Sequence, residues 1–396
     1  MLAETISTLL LPVEGILLFN VGFYGLATAG ALLAKRFPRT LAVREAPPGR
    51  LAVLVSAHDE EAVIGGLIAS LMAQEYPRAA FEVFLVADRC GDRTAAIARA
   101  GGARVFERQE GTGSKGAALG WLWEQIGPER SAFEAVVILD ADNQADPRFL
   151  AELDRGRRAG RRVIQGQRVA KNPETSTASA LDGLAEAIHH RVVSPGLDWW
   201  GLSTTISGSG VCYERELFEE LVVSTTTQVE DCEWQLMLHA WGVPIRPMPS
   251  AVVYDEKIPD FEAMARQRSR WVQGKLRLFA RYLGPMAWGA MNGRPGAMEG
   301  AGFLLTMLPR SVLLVGLVLM LALCWLPGML SWPWWVGALG IMALYLATGL
   351  VIEGVRASEL RALLHAHRFV RVFLGACGKA LGRSHIPWVR TPHGQK

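Results

Sequence analysis

The sequence predicts an α/β protein with a doubly wound, Rossmann-like sheet, flanked by transmembrane and interfacial helices. Three observations carry this prediction. From residue 50 to about 170, short apolar runs alternate with helical patterns, as expected of strands joined to parallel neighbours through helices. Three further stretches are apolar enough to cross a bilayer, which takes about 20 residues. Half of the 396 residues are hydrophobic and the mean hydropathy lies above zero, too rich for an ordinary soluble protein and too poor for a polytopic transporter.

The elements follow in order. "GILLFNVGFYGLATAGALLA" (15–34) is the first span, within an N-terminal segment 1–34. A cleaved signal peptide is the alternative, but "MLAET" carries no positive charge and "KRFPR" follows the apolar run. "LAVLVSAH" then precedes a helix over 60–74, and "FEVFLVAD" one over 92–100. "ARVFER" precedes "SKGAALGWLWEQI". "AVVILDAD" precedes "PRFLAELDRGRRAG", and "RRVIQGQ" follows. A segment at 281–310 reads as an interfacial helix or a linker. "SVLLVGLVLMLALCWL" (311–326) and "WWVGALGIMALYLATGLVI" (334–352) are the remaining spans, in a membrane unit 311–353. A basic segment, 354–396, closes the chain. By the positive-inside rule, the domain over 50–280 and the C-terminal segment face the cytosol.

Charge and cysteine usage narrow the function. Lys and Arg (41) nearly balance Asp and Glu (38), so net charge points to no nucleic-acid partner. The basic residues cluster at 155–162 and 356–371. Five scattered cysteines, with no CxxC pair or zinc-spaced histidine, read as reduced thiols.

In doubly wound sheets, ligands bind beyond the carboxyl ends of the strands. That rule singles out His58-Asp59-Glu60, Asp88 and the pair Asp140/Asp142. Asp146-Pro147 reads as a helix N-cap followed by proline. Capping leaves Asp140 and Asp142 unexplained. Two carboxylates at the end of a buried strand repel one another and lose solvation; a hard divalent cation reverses both penalties. A phosphatase built on DxDx[TV] is a competitor, but Gln144 stands where that motif needs Thr or Val. Downstream, Gly208 and Gly210 precede an amphipathic helix and suit a tight turn or a close ligand. Glu230-Asp231 opens a helix, where acids also suit the dipole. Gln267, Arg270 and Trp271 fall on neighbouring turns of another helix, which a basic membrane-surface helix would also explain.

This ordered set — DAD, then ED at a helix start, then Q-x-x-R-W, followed by spans — resembles the membrane-embedded family 2 glycosyltransferases, such as the cellulose, chitin, hyaluronan and poly-N-acetylglucosamine synthases. The resemblance covers roughly residues 50–280 and the membrane arrangement. It implies a GT-A fold and inverting transfer from a nucleotide sugar, expected to be UDP-linked, with Mg²⁺ or Mn²⁺ as cofactor. Residue by residue, it implies donor contacts at Glu60, Asp88, Lys115, Asp140, Gln267 and Arg270, a metal ligand at Asp142, a general base at Asp231 and an acceptor platform at Trp271. Asp59, Ser114 and Val229 depart from the family's usual Asn, Gly and Thr. The expected function is extension of a glycan at the cytoplasmic face of the cell membrane. The expected partners are a nucleotide-sugar donor, a glycan or lipid acceptor, membrane lipids and, for a secreted polymer, export proteins. Single addition to a lipid acceptor is the alternative within enzymes, and a catalytically inactive membrane scaffold the alternative outside them.

Overall fold

The computed structural model describes residues 2–111 and 113–382. Helix α1 (Leu2–Arg36) leads to the sheet domain, which begins with β1 (Leu51–Ala57), α2 (Ile64–Met72), β2 (Phe81–Asp88), α3 (Thr94–Ala100) and β3 (Arg104–Arg108). Next come α4 (Lys115–Ile126), β4 (Ala135–Asp140), the short β5 (Gln144–Ala145), α5 (Phe149–Arg158) and β6 (Val163–Ala170). Helix α6 (Thr177–Ile188) passes through a π turn, His189–Val193, into α7 (Ser194–Trp199). The domain continues with β7 (Val211–Glu214), α8 (Arg215–Val223), α9 (Glu230–Ala240) and β8 (Ile245–Asp255).

One eight-stranded sheet, ordered β3-β2-β1-β4-β7-β6-β8-β5, holds these elements together. Every residue of β1 but Ser56 is buried, as expected of a strand covered on both faces. Val53, Val55, Val137 and Leu139 face a core closed by α2, α3 and α5. Their neighbours Leu54, Phe84 and Ile138 face a second core under α4, α8 and α9, where Trp123, Phe218 and Trp234 meet edge to face. The sheet is mixed, which corrects the expectation of a parallel one. Strand β7 runs antiparallel to both β4 and β6, and β5 runs antiparallel to β8. Strand β7 begins beside Ile138, near the carboxyl end of β4, and runs back to Glu214 beside Ala135.

The remaining helices are α10 (Phe261–Met291), α11 (Pro295–Leu305), α12 (Arg310–Leu323), α13 (Trp332–Glu353), α14 (Ala357–Leu363) and α15 (Ala366–Gly382). Among the described residues, two single helices are long and apolar enough to cross a membrane, Thr8–Arg36 and Trp332–Glu353. The expected span at 311–326 takes a different form. Helix α12 has 14 residues, about 21 Å at 1.5 Å per residue, and joins α11 at a 73° bend. Pro309, which cannot sit inside a helix without cost, stands at the break.

The sheet domain is seated directly on these helices. Leu184, Ile188, Val192 and Leu197 pack with Val21, Ala27 and Ala31 of α1 and with Met342 and Tyr345 of α13. A Cβ on Gly196 would lie 1.9 Å from the Ala27 carbonyl oxygen, and one on Gly30 would lie 2.3 Å from the Gly196 carbonyl oxygen. Only glycine allows the two backbones to cross this closely. Trp200 Nε1 closes the contact by donating to the Leu26 carbonyl at 2.9 Å.

Candidate active site

The carboxyl ends of β1, β2 and β4 finish side by side, because Ala57 pairs with Ala87 and Ser56 with Asp140. Two residues just past these ends adopt the left-handed conformation, Asp59 (φ 56°) and Arg89 (φ 54°). Asn and Asp are the side chains best tolerated there, so Asp59 suits this backbone as an Asn would. Its Oδ1 accepts from the Gly91 N–H at 2.7 Å and ties the two strand ends together.

Asp140 and Asp142 leave the end of β4 around a fully buried amide, Asn143. Its Nδ2 donates to Asp142 Oδ1 at 3.0 Å and to Asp255 Oδ1 at 3.1 Å. Its Oδ1 accepts from the Asp140 N–H at 3.1 Å and from the Ser209 hydroxyl. All four hydrogen-bonding positions of the amide are used. Carboxylate oxygens of Asp140, Asp142 and Asp255 lie within 4.8 Å of one another. Three convergent carboxylates fit a hard divalent cation of the Mg²⁺ or Mn²⁺ kind. Two of them also have cationic partners, Lys115 on Asp140 and Arg168 and Lys257 on Asp255. Burial alone would raise the Asp255 pKa, but Arg168 and Lys257 outweigh it and hold the carboxyl well below its usual range.

Sequence reasoning missed Asp255, Asn143 and Ser209. For Asp255 there was a signal, an apolar run "AVVYD" ending in an acid, as at Asp88 and Asp140. Pro247 and Pro249 obscured it, since proline argues against a strand. The ladder absorbs Pro249 in an irregularity, where Gly166 pairs with Met248 but Gln167 with Val252. Arg168 and Lys257 both also reach Glu186 of α6, so an ionic network joins the acid cluster to the helix that packs on α1 and α13.

Lys115 opens α4 behind Ser114, whose hydroxyl accepts from the Ala117 N–H at 3.2 Å. Ser114 thus has a capping role that the family's glycine lacks. The lysine ammonium donates to Asp140 and, at 2.7 Å, to the Gly208 carbonyl. Burial pulls its pKa down, but Asp140, Glu230 and Asp231 together hold it above the ordinary lysine value. Gly208 (φ +75°) also faces the expected base: a Cβ there would stand 3.2 Å from Asp231 Oδ2. Its place is more than a tight turn. Asp231 Oδ1 accepts the Cys232 N–H at 2.8 Å at the start of α9. The preceding Glu230 is buried, and burial together with the Asp231 charge raises its pKa to about 7 against the pull of Lys115.

The structure therefore gathers Lys115, Asp140, Asp142 and Asp231 around Gly208. Asp88 and Glu60 stand along the same sheet edge with other partners. Asp88 is gripped by Arg108 at 3.0 Å and Arg89 at 2.9 Å. The Glu60 N–H donates to Thr94 Oγ1 at 2.8 Å. Gln267, Arg270 and Trp271 ride on α10, which meets the Asp231 segment at Gly274: a Cβ there would lie 2.7 Å from Val229. Burial lowers the Arg270 pKa. Trp271 is 36% exposed, and the Arg268 guanidinium stacks over one face of its ring, 4.1 Å from the centroid. All five cysteines lack a disulfide partner.

Comparison with known proteins places this geometry. The chain is 27% identical over 254 residues to a beta-monoglucosyldiacylglycerol synthase of Synechocystis, covering 61% of this chain and 50% of that one. It is 25% identical over 247 residues to the probable glycosyltransferase YdaM of Bacillus subtilis, covering 59% of this chain and 57% of that protein. The chain thus spans about half the length of these relatives. The structure resembles that of the mannosyltransferase PcManGT from Pyrobaculum calidifontis, solved with GDP-Man and Mn²⁺, with a TM-score of 0.50 at 18% identity over 92% of this chain and 99% of that one. That likeness supports the GT-A fold. The model of "Glycosyltransferase like family 2" matches residues 47–274, more than half of the sequence and the whole of the sheet and its strand-end acids, and the chain belongs to that family.

Proposed function

We propose that this nucleotide-sugar glycosyltransferase is an inverting, cation-dependent enzyme that adds a sugar to a lipid acceptor at the membrane surface. The observation that carries the lipid reading is the seating of α6 and α7 on α1 and α13, together with the packing of α9, which carries Asp231, on α10 and α11. The two single spans and one bent pair among the described residues do not by themselves enclose a polymer channel. The synthase name of the Synechocystis relative agrees. Extension of a glycan, the other reading, draws its support from the Q-x-x-R-W motif and the partial exposure of Trp271.

Asp140, Asp142 and Asp255 are the residues that would hold the cation, whose Lewis acidity offsets charge on a departing diphosphate. Lys115 and Arg270 add fixed positive charge there. Asp231 acts as the base: it takes the acceptor hydroxyl proton while that oxygen bonds to the anomeric carbon and the nucleoside diphosphate departs with the electrons of the broken C–O bond. Attack opposite the leaving group inverts the centre. Trp271 presents its face to the acceptor.

The test uses purified protein in detergent, a panel of nucleotide sugars and two acceptors, diacylglycerol and a short oligosaccharide, with mass analysis of the products. One sugar added to the lipid is expected. A ladder on the oligosaccharide alone would favour the glycan reading. Asp231→Asn should lower kcat by about 10²–10⁴-fold with nucleotide binding intact, and near wild-type transfer would remove Asp231 from this role.

A further inference from the structure

Helix α13 ends at Glu353 with Gly354 as a left-handed cap. The chain then turns into α14 and α15. Between residues 357 and 382 the one acid is Glu359, and it accepts from the Arg356 N–H at 2.8 Å. The same stretch carries Arg361, Arg368, Arg371 and Lys379, all exposed. It also exposes large apolar side chains: Leu360 (51%), Leu364 (77%), Leu374 (40%) and Leu381 (76%).

Helix α15 has three sides. Val372, Ala376 and Ala380 are buried, and α15 packs along α10, with Val372 against Met264. Val370, Leu374, Cys377 and Leu381 form a second row at helical spacing. Arg371, Arg368 and Lys379 form the third side, about 90–170° round the helix from that row. A partly exposed apolar row and a basic side on one helix suit the headgroup region of a bilayer, where long basic side chains reach back to the headgroups.

The inner side leads to the site. Arg268 of α10 bonds to Asp182 at 2.5 Å. Its guanidinium lies 4.1 Å from the Trp271 ring centroid and 5.7 Å from that of Phe373 on α15. Trp271 is thus backed by an arginine whose other face meets α15.

We propose that α14 and α15 form a docking surface for anionic phospholipid at the cytoplasmic face, and that docking seats α10 and its Trp271. Charge complementarity and continuity with the end of α13 identify the occupant. Basic residues at an anionic surface each contribute roughly fivefold in partition. The inference rests on reading α13 as a span and Trp271 as the acceptor platform.

The experiment places the full chain in nanodiscs of phosphatidylcholine alone or mixed with phosphatidylglycerol. Amide exchange over 366–382 and sugar transfer are read separately. The expected result is severalfold slower exchange and severalfold faster transfer in the anionic discs, both erased by high salt. The triple variant R368Q/R371Q/K379Q should melt like wild type, keep its transfer rate in phosphatidylcholine and lose both responses. Equal exchange in the two compositions would overturn the docking surface, as would a triple variant that still responds. Slower exchange without faster transfer would overturn the coupling to α10. Absence of transfer in every disc would count against the proposed function, while exchange would still decide the surface.

Discussion

Replacing Asn143 by aspartate changes a single group at the centre of the acid cluster. In the wild type, Nδ2 donates to Asp142 at 3.0 Å and to Asp255 at 3.1 Å. An ionised carboxylate in place of that amide would meet both acids as a like charge. Two unit charges about 4 Å apart interact by about 4 kcal/mol at an effective dielectric constant of about 20, so two such contacts exceed what a carboxyl tolerates before it takes up a proton. Protonated, it donates to only one of the two acids, and the lost charge-assisted bond costs about 1.5–3 kcal/mol. The new group therefore has a raised pKa in the fold. Its penalty appears above the ordinary aspartate value and grows as pH rises toward the raised one. Asn143→Asp should melt below wild type at pH 6 and further below it at pH 8. Asn143→Ala, which loses the bonds without adding charge, should show a deficit that does not change over that range. Mn²⁺ should recover more of the Asn143→Asp variant's melting temperature than it adds to wild type, because a cation offsets the added charge. Melting curves of purified protein in detergent at both pH values, with and without Mn²⁺, decide the matter. The same Asn143→Asp deficit at pH 6 and pH 8, or an Mn²⁺ effect no larger than in wild type, would refute this account of the cluster.

Other expectations follow from the same geometry. Glu230, whose pKa is raised to about 7, costs stability as it ionises between its unfolded value and pH 7; Glu230→Gln should gain more over wild type at pH 8 than at pH 5, and an equal gain at both would contradict the assignment. Trp271→Ala should cut transfer to the acceptor more than hydrolysis of the donor by water, and parallel loss of both in a folded protein would count against a platform role. Gly196→Val must part α7 from α1, since a Cβ would lie 1.9 Å from the Ala27 carbonyl; a drop in melting temperature with loss of transfer is expected, while donor binding by the intact sheet persists. A variant with wild-type transfer would show that the contact is dispensable.

Much of the fold is written in local pattern. The runs at 51–57, 81–88 and 135–140 are buried on both faces, so their sequences are mostly apolar, and the acids that end the last two, Asp88 and Asp140, are conspicuous. Strands β7 and β8 are less legible. The first has four residues, and the second carries two prolines whose place in the ladder depends on β6. The site divides the same way. Asp140, Asp142, Asp231 and Lys115 could be named because they sit in short motifs. Asp255 joins them through Asn143 across 112 residues of chain, a relation no local window contains. The left-handed backbone of Arg89 has no local mark either, since arginine has no preference for it.

The crossing of Gly30 and Gly196 has a geometric corollary. With backbone against backbone and Trp200 bonded to Leu26, no flexible stalk separates the sheet domain from α1, and on the proposed function the domain would not ride up or down on that anchor. The proposed base thus works at one fixed altitude. On the proposed function, acceptors would be screened by the height at which they present a hydroxyl: a compact headgroup would reach Asp231 only at that level, and one already lengthened by glycosylation would carry its terminal hydroxyl past it. On this view the anchor is a gauge that limits the number of additions.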